Sequence, residues 1–153
     1  MTGNQERILI HLGPEPVVPV GPGVEEEHGF GASCEFLGRV RGVNFGRTVE
    51  TVHYDAFVPL AVKTLREIAV GALREVGTEG AVRIQHRTGP VGVGESSVWI
   101  RVLTPHRDEA FRVCRLVIER LKHEAPIWKK EVYTDGETEW LKGHSLCSSG
   151  RTI

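Results

Sequence analysis

Three lysines lie close together in the segment LKHEAPIWKKE, which spans residues 121–131. The helix that runs into this segment must end at Pro126, and a strand carrying Trp128 follows at once. Lysines gathered at such a helix–strand corner can bind an anion, and a lysine shielded from water there can change its proton affinity. The segment therefore predicts a site without yet saying what the site holds.

Lys122 is the lysine best placed for chemistry. It follows Ile118 by four residues and Cys114 by eight, so it borders the apolar side of the predicted helix. Loss of water there would lower the pKa of its ammonium group and make proton transfer or nucleophilic chemistry possible near neutral pH. The alternative is a cation in the last helical turn, stabilised by the helix dipole, with its stem covering apolar surface.

Lys129 and Lys130 are neighbours on the predicted strand, so their side chains point to opposite faces. Lys129 shares a face with Ile127 and Glu131, and only one of the two lysines can join Lys122 in one pocket. The alternative is that both are solvated strand charges.

Two further groups of cations could bind anions. His106 and Arg107 open the second predicted helix, where backbone N–H groups favour a phosphate or carboxylate. An ordinary turn with Asp108 in the first helical turn is the alternative. Arg39 and Arg41 alternate on one strand and share a face, so they could grip another anionic group or form a plain surface ladder.

Composition narrows the function classes. The 153 residues carry a net charge of −1, so no global field attracts nucleic acid or a membrane, and with 7% aromatic residues RNA binding is remote. Three cysteines without CxxC spacing indicate a reduced, cytoplasmic protein, and no secretory signal is visible. Seven scattered histidines lack ligand spacing, which argues against a metal site.

The hydrophobic pattern predicts an α+β domain of order ββ-α-ββ-α-ββ, with a mainly antiparallel sheet and no parallel doubly wound crossovers. The strands that we expect are Arg7–Leu12, Gly31–Arg41, Thr48–Phe57, Ala81–Thr88, Ser96–Thr104, Trp128–Tyr133 and Glu139–Lys142. The second and third of these are predicted to form a hairpin, and a single helical turn is possible at Val24–His28.

Two helices separate the predicted strands. The first begins at Pro59 and stops at Gly77, and the second covers about Arg107–Glu124. The second helix is expected to bury one apolar side, made of Ala110, Phe111, Cys114, Val117, Ile118 and Leu121.

Three motifs together resemble the large, catalytic subunit of molybdopterin synthase. They are FLGRVRGVNFGRTVETVHYDAF (Phe36–Phe57), TPHRDEAF (Thr104–Phe111) and LKHEAPIWKKE (Leu121–Glu131), and the similarity covers roughly Gly31 to Leu141. The resemblance implies an α/β hammerhead-type domain with a small added β subdomain. A single domain would then span residues 1–153, with a variable N-terminal strand and loop over 1–30 and a flexible tail over 143–153.

The resemblance also implies an activity and partners. Such a subunit works as a homodimer, and each protomer binds a small ubiquitin-like sulfur carrier to give a heterotetramer. The C-terminal Gly-Gly thiocarboxylate of the carrier supplies two sulfurs to cyclic pyranopterin monophosphate, which forms the dithiolene of molybdopterin without a cofactor or metal. A non-catalytic module that docks a ubiquitin-like tail or a pterin phosphate is the competing hypothesis.

Matched by position, the resemblance assigns roles to residues of this chain. Lys122 corresponds to the catalytic lysine, and Lys129 is implied to act in both catalysis and substrate binding. The remaining substrate-binding residues that it implies are Arg39, Arg41, His106, Arg107, Lys130 and Glu131. The His106–Arg107 pair is expected to serve the neighbouring protomer's site.

Overall fold

The computed structural model describes residues 7–19, 29–136 and 138–140 of the chain. The helical turn expected at Val24–His28 and the predicted tail over 143–153 lie outside these residues. The described elements, in chain order, are β1 (Ile8–Gly13), β2 (Ala32–Arg39), β3 (Val43–Asn44), β4 (Arg47–Ala56), α1 (Val58–Val76), β5 (Ala81–Arg87), β6 (Gly89–Gly92), β7 (Ser96–Thr104), α2 (Arg107–Glu124), β8 (Ile127–Tyr133) and β9 (Thr138–Trp140). This order confirms the α+β class with two helices.

The first sheet has four strands in the order β1-β5-β7-β2. β5 and β7, which a short glycine-rich segment joins, pair antiparallel, and β2 joins β7 antiparallel. β1 is the exception, since it runs parallel to β5. Both helices pack on one face of this sheet and close the main hydrophobic core, which includes Leu65, Ile84, Ile100 and Leu121.

Helix α1 begins and ends where its sequence predicts. Pro59 lies in the first turn, where its missing N–H costs no hydrogen bond. Gly77 follows the last turn with φ of 77°, and its N–H bonds the carbonyls of Leu73 and Arg74. A left-handed residue at this position lets the chain turn back toward β5.

Helix α2 covers the predicted range, and Ala125 leaves the helical conformation just before Pro126. Of the residues expected to be buried, Ala110, Cys114, Val117, Ile118 and Leu121 are buried. Phe111 is not, because 66% of its surface is exposed. It lines a cavity between α2 and β2 instead of packing into the core. Among the described residues, neither helix is long and apolar enough to cross a membrane.

The second sheet corrects the predicted hairpin. β4 does not pair with β2; it pairs antiparallel with β3, β6 and β8, and β8 pairs in turn with β9. The chain leaves the first sheet after Arg39, and Val40 packs into the second sheet's core with Val49, Val52 and Val91. The glycine-rich segment between β5 and β7 supplies β6, which borders β4. The two sheets therefore meet beside the end of β2.

Candidate functional site

A small cavity of about 140 Å³ opens where the two sheets meet the end of helix α2. Four cations from three separate segments line it. Arg39 and Arg41 come from the end of β2 and the residues after it, Lys122 from the last turn of α2, and Lys129 from β8. A bulge lies between Gly38 and Arg39, and the Arg39 guanidinium donates a hydrogen bond of 3.0 Å to the Gly94 carbonyl. The cavity therefore concentrates positive charge in a chain whose net charge is −1.

Lys122 borders this cavity together with Ile118 and Leu121 of the same helix. The place beside the apolar stripe is the one that its spacing predicts. Its side chain is nevertheless exposed. The loss of water that we expected around this lysine is therefore not provided by the single chain, and a bound ligand or partner would have to supply it.

Lys129 is mostly buried, with 19% of its side chain exposed. Its ammonium nitrogen lies 3.8 Å from Oε1 of Glu131, whose side chain is only 7% exposed. The interpretation of Lys129 as a solvated strand charge is therefore wrong. The predicted sharing of one strand face by Ile127, Lys129 and Glu131 is confirmed, since all three point toward the interior.

Glu131 does not line the cavity but is held beneath it by its own partners. The side-chain amide of Asn44 donates a 2.6 Å hydrogen bond to Oε2, and the Tyr133 hydroxyl donates to the same oxygen. The Arg47 guanidinium lies 3.7 Å from the centre of the Tyr133 ring. These hydrogen bonds satisfy a carboxylate that is shielded from water.

Neutral polar side chains complete the cavity wall, and sequence reasoning missed them. They are Tyr54, His86 and Ser97. His86 is 2% exposed and Nδ1 lies 2.8 Å from the Arg87 carbonyl oxygen. Burial lowers the pKa of His86 to about 4, so the ring is neutral at pH 7. The sequence did contain a signal for His86, because it alternates with Val82 and Ile84 along one strand and so shares their buried face.

A larger cavity of about 380 Å³ adjoins the first between α2 and β2. Both cavities share Phe36, Ile118 and Lys122 in their walls. Cys34 and Cys114 lie in the larger one. Burial raises the pKa of Cys114 to about 12, so this thiol stays protonated and is a poor nucleophile near neutral pH. The larger cavity therefore offers room and apolar surface beside Lys122.

The remaining predicted site residues lie away from the small cavity. His106 precedes α2 and Arg107 opens it, fifteen residues before Lys122. At 1.5 Å per residue this places them about 22 Å away along the helix axis. Lys130 faces the side of β8 opposite Lys129 and does not line the small cavity. The roles implied for these three residues stay predictions.

Metal ligands are not grouped in the part of the chain that the structure describes. No set of three or more His, Cys, Asp or Glu residues there is placed to hold a metal ion. The chemistry that the small cavity can support is binding and stabilisation of negative charge by four cations, and proton transfer from a lysine.

Comparison with known proteins shows the family of the chain. The family model described as MoaE protein matches residues 20–124. The molybdopterin synthase catalytic subunit of Synechococcus elongatus is 41% identical over 152 residues, covering 99% of this chain and 92% of the relative.

Solved structures share the fold. Molybdopterin synthase from Staphylococcus aureus superimposes with a TM-score of 0.76 and 32% identity, covering 88% of this chain and 96% of that one. A chain of the complex of subunits 1 and 2 of molybdopterin-converting factor from Helicobacter pylori has the same fold, with a TM-score of 0.65, 23% identity, and coverage of 90% and 92%. The fold and the sequence match together show that the chain belongs to the MoaE family of molybdopterin synthase catalytic subunits.

Proposed function

We propose that this chain is the catalytic subunit of a molybdopterin synthase. It transfers sulfur from the C-terminal thiocarboxylate of a small ubiquitin-like carrier to cyclic pyranopterin monophosphate and so forms the dithiolene of molybdopterin. The observation that carries the proposal is the cavity in which Arg39, Arg41, Lys122 and Lys129 converge. Both reactants are anions, one a thiocarboxylate and the other a cyclic phosphate, and each needs cations in a chain that is close to neutral.

Lys122 and Lys129 are the residues to which we assign catalysis. Opening of the cyclic phosphate and attack by the sulfur both develop negative charge, which fixed cations stabilise. An oxygen displaced with the opening phosphate stays on phosphorus as an anion, whereas a hydroxyl displaced by sulfur leaves as water and needs a proton, which the Lys122 ammonium can donate. Its exposure in the single chain suits a residue that ligand binding covers, because water is then excluded only when the reactants are present.

Arg39 and Arg41 hold the substrate in this scheme. Their guanidinium groups present several N–H donors in a fixed plane, which suits a phosphate or a carboxylate. Asn44 and Tyr133 hold the carboxylate of Glu131 in place through one of its oxygens. The other oxygen of Glu131 then positions the ammonium group of Lys129. Lys130 lies on the other face of β8 and would reach only a reactant that extends past the edge of the cavity.

The second protomer completes the site. His106 and Arg107 are exposed, and they lie at the opposite end of α2 from Lys122. A single chain cannot bring them to its own cavity, whereas a homodimer can bring them to its partner's. The relatives are named as catalytic subunits, which implies another subunit, and we infer that two carriers complete a heterotetramer. The free thiols of Cys34 and Cys114 support a reducing compartment, which we take to be the cytoplasm.

The test is reconstitution with the two reactants. The purified chain is incubated with the thiocarboxylated carrier and cyclic pyranopterin monophosphate, and the dithiolene product is followed by mass spectrometry. A carrier that ends in an ordinary carboxylate is the matched control. The proposal requires product with the thiocarboxylate only. A module that merely binds would retain the carrier on a column and yield no dithiolene.

A further inference from the structure

His86 has a fixed protonation pattern inside the small cavity. Its Nδ1 lies 2.8 Å from the Arg87 carbonyl oxygen, and because a carbonyl can only accept, Nδ1 carries the proton and donates. The neutral ring then has an unprotonated Nε2. The imidazole lines the cavity although the residue is only 2% exposed. The nitrogen left to meet a ligand is therefore a pure hydrogen-bond acceptor on a buried ring.

The groups around His86 keep the ring in place. Tyr54 packs edge-on against it, with ring centres 5.1 Å apart. The Tyr54 hydroxyl is hydrogen-bonded to Ser97, whose own hydroxyl donates to the Gly38 carbonyl at 3.4 Å. These two hydroxyl groups are thus engaged with the protein. The four cations of the cavity can only donate hydrogen bonds, whereas Nε2 of His86 can accept one.

The cavity accordingly combines two kinds of recognition at short range. Its cations select an anionic group, and His86 selects an N–H donor next to that group. Its volume of about 140 Å³ is well below the roughly 300–1,000 Å³ usual for sites that enclose a whole small molecule. The last residue of a peptide tail has the matching chemistry, since one carbon separates its terminal anion from its amide N–H. The adjoining cavity of about 380 Å³ has room for the residues before it.

We propose that His86 is a specificity-determining residue for the carrier: its Nε2 accepts a hydrogen bond from the last amide N–H of the tail, whose terminal anion lies against Lys122 and Lys129. This inference rests on the proposed function and assigns a ligand contact within it. An acceptor at this depth fixes the direction of the final peptide unit and so aims the terminal sulfur. It also rejects a tail that lacks the N–H, because two acceptors would then face each other without water.

The experiment deletes only that N–H. One synthetic octapeptide ends in Gly-Gly, and a second ends in Gly-glycolate, in which an ester oxygen replaces the last N–H. The Kd of each is measured by calorimetry for the unaltered chain, for His86→Ala and for His86→Gln, after thermal unfolding has shown that each variant is folded. The unaltered chain should bind the amide about tenfold more tightly than the ester, in keeping with one buried hydrogen bond. In His86→Ala the two should differ by less than about twofold. His86→Gln can restore an acceptor and should recover part of the preference.

Several outcomes would overturn the assignment. They are an amide preference equally large in His86→Ala, equal binding of both peptides by the unaltered chain, or no binding of either. Cyclic pyranopterin monophosphate is titrated against the same variants. If only its affinity falls in the His86 variants, His86 contacts the pterin and not the peptide tail. Failure of the inference is distinguishable from failure of the proposed function. In the first case the unaltered chain still forms dithiolene with thiocarboxylated carrier, and in the second it does not.

Discussion

The ammonium nitrogen of Lys129 lies 3.8 Å from a carboxylate oxygen of Glu131, two residues farther along the same face of β8. Glu131 is 7% exposed and Lys129 is 19% exposed, so water screens this pair poorly. Asn44 and Tyr133 hold the other carboxylate oxygen. Glu131 thus has a fixed position, and it fixes in turn where the cation of Lys129 enters the cavity.

Glu131→Gln should therefore impair turnover more than folding. Glutamine keeps the size of the side chain and can still accept hydrogen bonds from Asn44 and Tyr133, but it no longer attracts Lys129. A catalytic group displaced by about 1 Å can lose on the order of 100-fold in rate, so we expect a 10- to 100-fold loss of dithiolene formation. The measurement is single-turnover product formation with saturating carrier.

Glu67→Gln is the matched control for this change. Lys63 and Glu67 form an ion pair at 3.9 Å, with 72% and 65% of their side chains exposed. Exposed pairs contribute about 0–1 kcal/mol, and this one lies on α1 outside both cavities described above. Its rate should stay that of the unaltered chain. Equal rates for Glu131→Gln and Glu67→Gln would contradict the assignment of Glu131 as a positioning residue.

Lys122→Ala should abolish dithiolene formation while the chain stays folded and still binds the carrier. Removal of a general acid typically costs about 100- to 10,000-fold in rate. The side chain is exposed, so its loss should change the free energy of unfolding by no more than about 0.5 kcal/mol. Product formation and thermal unfolding are measured on the same preparation. Near-normal turnover would contradict the assignment of Lys122.

How far the sequence predicted the site depends on which interactions are local. The helix end that carries Lys122 and the strand face that carries Lys129 follow from periodicity and from Pro126, which act within a few residues. The convergence of Arg39 and Arg41 on the same cavity depends on contacts between segments about 80 residues apart. Spacing alone left a surface ladder equally open there, and the family resemblance, not the periodicity, related these arginines to Lys122.

Strand pairing was the least predictable part of the fold. The segments of β2 and β4 are separated by a short, turn-like stretch, which favours a hairpin, yet β4 pairs with β8 and β2 pairs with β7. Partner choice is decided by burial across the whole sheet, which local patterns do not encode. Asn44 was missed for the same reason, since its partner Glu131 is 87 residues away.

Gly71 inside α1 and Gly77 just after its last turn should respond to alanine with opposite signs. Gly71 lies inside the helix, and an added Cβ would come no nearer than 3.7 Å to the Arg120 side chain. Gly71→Ala should therefore stabilise the chain by about 0.5–1 kcal/mol through lower backbone entropy in the unfolded state. Gly77 has φ of 77°, and Gly77→Ala should destabilise it by about 1–2 kcal/mol. Urea unfolding of both variants measures the difference, and a stabilising Gly77→Ala would contradict the left-handed cap.

His86 should make the chain less stable in acid, in a window that its two pKa values define. The ordinary histidine value of 6.5 applies to the unfolded chain, and burial lowers the pKa to about 4 in the folded one. Above pH 6.5 both states hold a neutral ring, so this residue adds no pH dependence. Between pH 6.5 and about 4 the unfolded state binds a proton that the folded state does not, and folding is progressively disfavoured.

The size of this effect can be isolated with His86→Gln, whose side chain does not titrate. At about 1.4 kcal/mol per pH unit, the unaltered chain should lose about 3 kcal/mol relative to the variant as the pH falls through that window. Urea unfolding at half-unit pH steps from 7.5 to 4 gives the difference directly, and other acid-sensitive groups cancel because both proteins contain them. A difference that stays constant with pH would show that the imbalance in proton binding is not located at His86.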